Sequence, residues 1–259
     1  MKHILLTGAS GNLGRMLAPK LVNAGYRLRL SDIELFPDEL PHGTEFIQAD
    51  LSNAEAVADL VDGTDAVLHF GGISVEKSYD LIAQANLLGV THIFEAARPA
   101  RQRVVFASSN HTIGFYTRNE LLNADAAFRP DGYYGLSKAY GEMLGRMMFD
   151  KHGIESVHLR IGSCLPKPTE ARHLATWLSH DDLVRLLIAA VEAPRTGVAT
   201  VWGISANRDR WWENDDAALI GYLPQDDASR FGVLAETGDP VSRRFQGGTF
   251  TAHDYSRTD

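Results

Sequence analysis

One cysteine, Cys164, stands in a chain of 259 residues, so no disulfide can form within it, and a reducing compartment, by default the cytoplasm, is expected. No stretch of about 18 consecutive apolar residues occurs, and no membrane-spanning helix or membrane partner is expected. The chain opens almost at once on the apolar run Ile4-Leu5-Leu6, which leaves no room for a secretory leader ahead of a first strand. Lys and Arg form no cluster and the net charge is −8. A nucleic-acid partner needs a basic face, so none is expected. The ten histidines contain no H-E-x-x-H and no pairing with cysteine at ligand spacing, which argues against a metal site. With 44% hydrophobic and 22% charged residues, the composition is that of a globular chain long enough for one large α/β domain.

What is present is a glycine turn. Thr7-Gly8-Ala9-Ser10-Gly11-Asn12-Leu13-Gly14 follows the first apolar run and leads into an amphipathic stretch, Arg15 to Ala24. Strand, glycine turn and helix start form the arrangement in which backbone N–H groups and a helix N-terminus hold a pyrophosphate. The spacing is G-x-x-G-x-x-G, one residue longer in its first gap than the dinucleotide fingerprint, and three glycines alone can simply make a tight turn. Asp32 strengthens the reading. It ends a second apolar run, Tyr26 to Leu30, about twenty residues on, where a carboxylate accepts from a ribose 2′-OH. NAD is the expected cofactor.

Strand-like segments at Ile4–Thr7, Arg27–Ser31, Glu45–Gln48, Ala66–Phe70, Val104–Ser108 and Val157–Ile161 alternate with helical patterns near Leu13–Ala24, Ala54–Val61, Tyr79–Ala97 and Tyr133–His152. Alternation of this kind, with buried-type apolar strands, predicts a Rossmann-like, doubly wound parallel sheet covered by helices on both faces. Asp182–Glu192 reads as a further helix and Val198–Ile204 as one more strand. No internal repeat or low-complexity segment is seen. The expected organisation is one domain over 1–259. Residues 1–161 are mainly dinucleotide-binding and catalytic; 162–259 hold the last strand and a small substrate-covering region. Arg244 to Phe250 carries two aromatic residues where frayed termini are usually polar, so it is expected to pack on this chain or on a second copy in a homo-oligomer.

Ligands of such sheets bind beyond the carboxyl ends of the strands. Gly8–Gly14, Asp32 with Ile33, Asp50-Leu51, Phe70–Ser74, Ser108–His111 and Ile161–Cys164 all lie at or just beyond strand ends and should converge on one crevice. Tyr134 and Lys138 fall four apart on one face of a predicted helix. They follow Ser108-Ser109 by about 25 residues, and no other tyrosine has lysine at this spacing. A free phenol titrates near 10, so service as a base near pH 7 requires about 4 kcal/mol of phenolate stabilisation. An ammonium about 4 Å away at an effective dielectric of 20 supplies about that much. Lys138 is thus expected to lower the Tyr134 pKa.

Gly8, Gly11, Gly14, a serine after the fifth strand and the Tyr134/Lys138 pair resemble the extended short-chain dehydrogenase/reductases over nearly the whole chain. The resemblance is closer still to the uronate dehydrogenase family, through Phe70-Gly-Gly-Ile-Ser-Val-Glu-Lys77, Phe106-Ala-Ser-Ser-Asn-His-Thr-Ile-Gly114, Arg160-Ile-Gly-Ser163, Thr176-Trp-Leu-Ser-His-Asp-Asp182, Val201-Trp-Gly203 and Arg244 to Phe250. The resemblance implies NAD-dependent oxidation of a hexuronate at C1. Tyr134 would be the catalytic base, acting with Ser109 and Lys138, and Ser74, Ser109, Asn110, His111, Tyr134, Ser163 and Arg172 would contact the uronate. The cofactor would lie along Gly8, Gly11, Asn12, Leu13, Gly14, Asp32, Ile33, Asp50, Leu51, Phe70, Gly71, Gly72, Ser74, Lys138 and Ile161. A nucleotide-sugar epimerase or reductase, and a non-catalytic dinucleotide sensor, are the alternatives weighed against it.

Several residues carry a plainer reading as well. The Arg172 fork suits a carboxylate but could equally pair with Glu170 or Asp181. His111 and Ser163 could be ordinary hydrogen-bonded loop residues. Asp50 could merely cap the helix that follows. Cys164 reads as a small packing residue, and Trp211-Trp212 as core or interface.

Overall fold

A computed structural model of the chain describes residues 1–214 and 216–255. The first strand, β1 (His3–Thr7), runs through the glycine turn into α1 (Asn12–Asn23), and β2 (Arg27–Asp32) and β3 (Glu45–Gln48) follow on one side of it. After α2 (Ala54–Val61) the chain crosses to the other side of β1. There β4 (Ala66–His69), β5 (Arg103–Ser109), β6 (Ser156–Ile161) and a final strand at Val198–Gly203 are laid in turn. All six pairings among these seven strands are parallel. The apolar runs seen in the sequence are what a sheet buried on both faces requires. Because β2 and β4 flank β1, the loops after β1 and β4 leave in opposite directions and open a crevice at the carboxyl edge.

Two apolar clusters sandwich the sheet. On one face Leu17 and Leu21 of α1 meet Leu183, Leu186 and Leu187. On the other, Val57 and Leu60 of α2 pack with Val90, Ile93, Phe94, Leu144 and Met148. The single helix expected over Tyr79–Ala97 is broken into three pieces: α3 (Tyr79–Ile82), a wider π turn (Ala83–Leu88) and α4 (Gly89–Ala97). Asn86 is buried within the π turn, where it accepts from Ile73 N and donates to Ile73 O and Ser137 Oγ. Those side-chain bonds lie beyond the reach of a hydrophobic period.

Next come α5 (Tyr133–His152), the two-residue strand β7 (Ser163–Cys164), α6 (His173–Thr176), its partner β8 (Trp177–Leu178), α7 (His180–Glu192) and, completing the large sheet, β9 (Val198–Gly203). Two-residue strands carry no period, so the small β7–β8 pair was not visible in the sequence. Trp211 and Trp212 belong to a third cluster, where Trp212 stacks on Trp202 at 4.6 Å. No helix among the described residues is long and apolar enough to cross a membrane.

A buried ion pair joins α5 to β6. Arg160 donates through Nε and Nη2 to both oxygens of Glu142, the Nη2–Oε2 distance being 2.8 Å, and the side chains are 3% and 4% exposed. Ser108 Oγ donates to the same carboxylate. Removing one partner of such a pair strands the other charge in the interior, at a cost of about 3–5 kcal/mol. Arg160→Leu should therefore lower the urea-denaturation stability by that amount, while a loss below about 1 kcal/mol would mean the network contributes little.

Candidate active site

The glycine turn is built by close approach. Gly8 has φ +71°, and a Cβ there would stand 2.6 Å from Phe70 C and O. A Cβ on Gly14 would overlap Gly8 O. Only glycine lets β1, β4 and the start of α1 meet this closely. Gly11 caps α1 without a side-chain acceptor, and no acidic residue lies in the first turn, so a helix N-terminus faces the crevice free to receive an anion.

Around it lies a cavity of about 750 Å³ lined by Gly8, Gly11, Asn12, Leu13, Gly14, Asp32, Ile33, Asp50, Leu51, Phe70, Gly71, Gly72 and Ser74. Of the residues expected to touch the cofactor, only Lys138 and Ile161 are outside this lining. Ser10 and Cys164, within segments expected at the crevice, also line it, as do Glu34 and Gln84, which no motif announces. Asp32 ties the turn together, accepting from Ser10 N at 2.9 Å and Glu34 N at 3.2 Å. Asp50 accepts from Ser52 N, and the cap of α2 is Asn53 rather than Asp50. Cys164 packs against the core as expected, and burial pushes its thiol up to about 12. It is no thiolate nucleophile.

Beside the cavity, Ser109 ends β5 and its Oγ accepts from His111 N to start one 3-10 turn, Asn110–Ile113. Tyr134 and Lys138 lie one turn apart at the start of α5, 8% and 6% exposed. Lys138 Nζ stands 5.6 Å from the Tyr134 ring centroid and 4.9 Å from that of Phe106. The expectation of a depressed phenol needs correction, because in the protein alone the net shift is upward. Burial pushes Tyr134 up to about 12; the Ser109 hydroxyl acts the other way, and the Asp131 carboxylate adds to the rise. Burial also pushes Lys138 down to about 8, because a charge is costly where water is excluded.

The helix carrying Tyr134 has an unusual cap. Gly132 offers it no side chain, and Glu76, from the loop after β4, accepts from Tyr133 N and Tyr134 N at 2.8 Å each. This carboxylate binds the loop that carries Ser74 to the helix that carries Tyr134, and it suits the positive end of the helix dipole. It acts across 57 and 58 residues, so no capping-box pattern announces it.

Arg172 is 9% exposed. Its Nε donates to Gln246 O at 2.9 Å and its Nη1 to Ser163 Oγ at 3.0 Å. The Asn110 amide, oriented so that Nδ2 donates to Ile161 O, accepts from Arg172 Nη2 at 2.9 Å. Neither carboxylate suggested by the sequence is its partner: Glu170 lies against His173, and Asp181 against Lys20. Burial pushes the guanidinium down to about 10, which leaves it charged at neutral pH. Ser163, Asn110 and Arg172 thus form one cluster, next to Ser109 and His111.

The aromatic tail packs on this chain. Phe245 meets Phe115 edge-on, and Phe250 stacks on His111 at 3.7 Å. Gln246, fully buried, donates to Thr117 O and Glu120 O and accepts from Trp212 Nε1. Its own carbonyl orients Arg172. Gln246, Glu76 and Asn86 are the positioning residues that sequence reading missed, since each acts through contacts with distant segments.

Residues 4–180 match the NAD dependent epimerase/dehydratase family. The chain is 47% identical over 255 residues to the uronate dehydrogenase of Pseudomonas putida, covering 96% of this chain and 95% of that protein. Among solved structures, a mutant of the Agrobacterium tumefaciens uronate dehydrogenase complexed with NAD superposes with a TM-score of 0.93 at 44% identity, covering 99% and 100% of the two chains. The glucuronic acid dehydrogenase of Chromohalobacter salexigens does so with a TM-score of 0.92 at 43% identity, covering 98% of each.

Proposed function

The chain belongs to the NAD-dependent epimerase/dehydratase family, and within it we propose that it oxidises a hexuronate, D-glucuronate or D-galacturonate, at C1 to the aldaric acid lactone with NAD as cofactor. One observation carries the substrate class. Arg172 is a buried cation held by three neutral acceptors, and no carboxylate pairs with it among the described residues. A guanidinium oriented this firmly, with Glu170 and Asp131 acting on it only from beyond contact, is suited to receive an anionic group.

The glycine turn, the uncapped start of α1 and Asp32 suit the pyrophosphate and a ribose of NAD, with Asp50 and Leu51 near the adenine and Lys138 on the nicotinamide ribose. When bound, NAD supplies the hydride acceptor. Tyr134 takes the proton of the anomeric hydroxyl. Ser109 donates to the oxygen that bears developing charge, as a preorganised dipole. Ser74, Asn110, His111 and Ser163 engage the remaining substrate oxygens. Residues beyond 161, with Arg172 and the aromatic tail, supply the part that covers the substrate.

The direct test is NADH formation at 340 nm with both uronates, neutral hexoses and nucleotide sugars. Uronates should support turnover, and neutral hexoses should be poor substrates. Preference for a nucleotide sugar would replace this reading with an epimerase or reductase, and no turnover of any substrate would favour a sensor. Asp32→Ala should weaken NAD binding and narrow the preference over the 2′-phosphorylated cofactor, since Asp32 and Glu34 both line the cavity and repel a phosphate. Equal activity of the parent with both cofactors would place cofactor selection elsewhere.

A further inference from the structure

Asp131 lies in the loop leading into α5, and no motif marks it. Its side chain is fully buried. Oδ2 stands 2.7 Å from His111 Nδ1, while Oδ1 has no hydrogen-bond partner among the described residues. No lysine or arginine pairs with it there. Room for this carboxylate exists only because Gly114 and Gly247 are glycines, since a Cβ on either would overlap Oδ2. The His111 ring is pinned a second way, stacked on Phe250 at 25° between planes. Its edge faces the Tyr134 ring at 5.8 Å. Nε2 is the one polar atom of the ring without a partner among the described residues.

A neutral imidazole carries one N–H, and the partner of one nitrogen sets the state of the other. A carboxylate at 2.7 Å accepts from Nδ1–H, whereas a lone pair on Nδ1 would face the negative charge of a fully buried carboxylate. We propose that Asp131 is a positioning residue that holds the proton of His111 on Nδ1, so that Nε2 presents a lone pair and accepts a hydrogen bond from a substrate hydroxyl. This rests on the reading that His111 faces the uronate. It gives the site two kinds of group: Arg172 receives the carboxylate, and the His111 acceptor takes a hydroxyl. A uronate is then bound with a hydroxyl toward His111.

Two measurements decide the matter. Long-range 15N–1H spectra of the NAD-loaded protein, with His111 assigned by comparison with His111→Gln, should show Nδ1–H and a bare Nε2. An Nε2–H, in a neutral or a doubly protonated ring, would overturn the proposal. This readout needs no turnover and no Asp131 variant, so it stands even if uronates prove not to be substrates. In kinetics, Asp131→Asn should lower kcat/KM for the uronate at least tenfold and leave the KM for NAD within twofold. In a His111→Gln background the same change should cost less than twofold, because Asp131 acts through that ring. Losses that multiply independently in the two backgrounds would show Asp131 acting other than through His111 and overturn the role.

Discussion

Tyr134→Phe is expected to lower kcat by about 10²- to 10⁴-fold, the range typical of a lost general base, while leaving NAD affinity nearly unchanged. The ring and its packing stay, and only the proton acceptor goes. In the protein alone, burial pushes the phenol up to about 12, so the phenolate is scarce at neutral pH. Positive charge must offset that burial. Lys138, pushed down to about 8, is still mostly protonated at pH 7, and the oxidised nicotinamide adds a second charge when NAD is bound. The sign follows: the basic form gains with rising pH, so the parent kcat should climb between pH 6 and 8, and the Tyr134→Phe profile should be flat. Residual activity within tenfold of the parent would remove Tyr134 as the base.

Arg172→Ala should reduce kcat/KM for uronates by about 30- to several-thousand-fold, because truncating one side of a buried charge-assisted contact costs roughly 2–5 kcal/mol. Arg172→Lys should recover only part, keeping the charge but losing the planar fork. The guanidinium also holds Gln246 O and Ser163 Oγ, so some loss could arise from a loosened tail. Trace turnover of glucose or galactose separates the two. A carboxylate receptor predicts that uronate turnover falls far more than neutral-sugar turnover, and equal falls would assign Arg172 to support of the tail.

The order of strands and helices was legible in the sequence because it is written in local patterns. Apolar runs of strand length alternate with helical periods, and the glycines at 8, 11 and 14 stand where a strand must turn into a helix against a neighbouring backbone. Asp32 and the Tyr134/Lys138 pair were legible for the same reason, each a residue type at a fixed offset from an element end. Tertiary structure decided what those residues experience. Burial turned the expected depression of the Tyr134 pKa into a rise, an effect of excluded water that no spacing reports. Glu76 caps α5 from the loop after β4, Gln246 fixes Arg172 from the tail, and Asp131 holds His111 from 20 residues away. A hydrogen bond between distant segments leaves no periodic trace in a single sequence. The reactive groups were therefore determined by the sequence alone, whereas their orientation and electrostatic setting arise only where the folded chain brings remote polar atoms within 3 Å of one another.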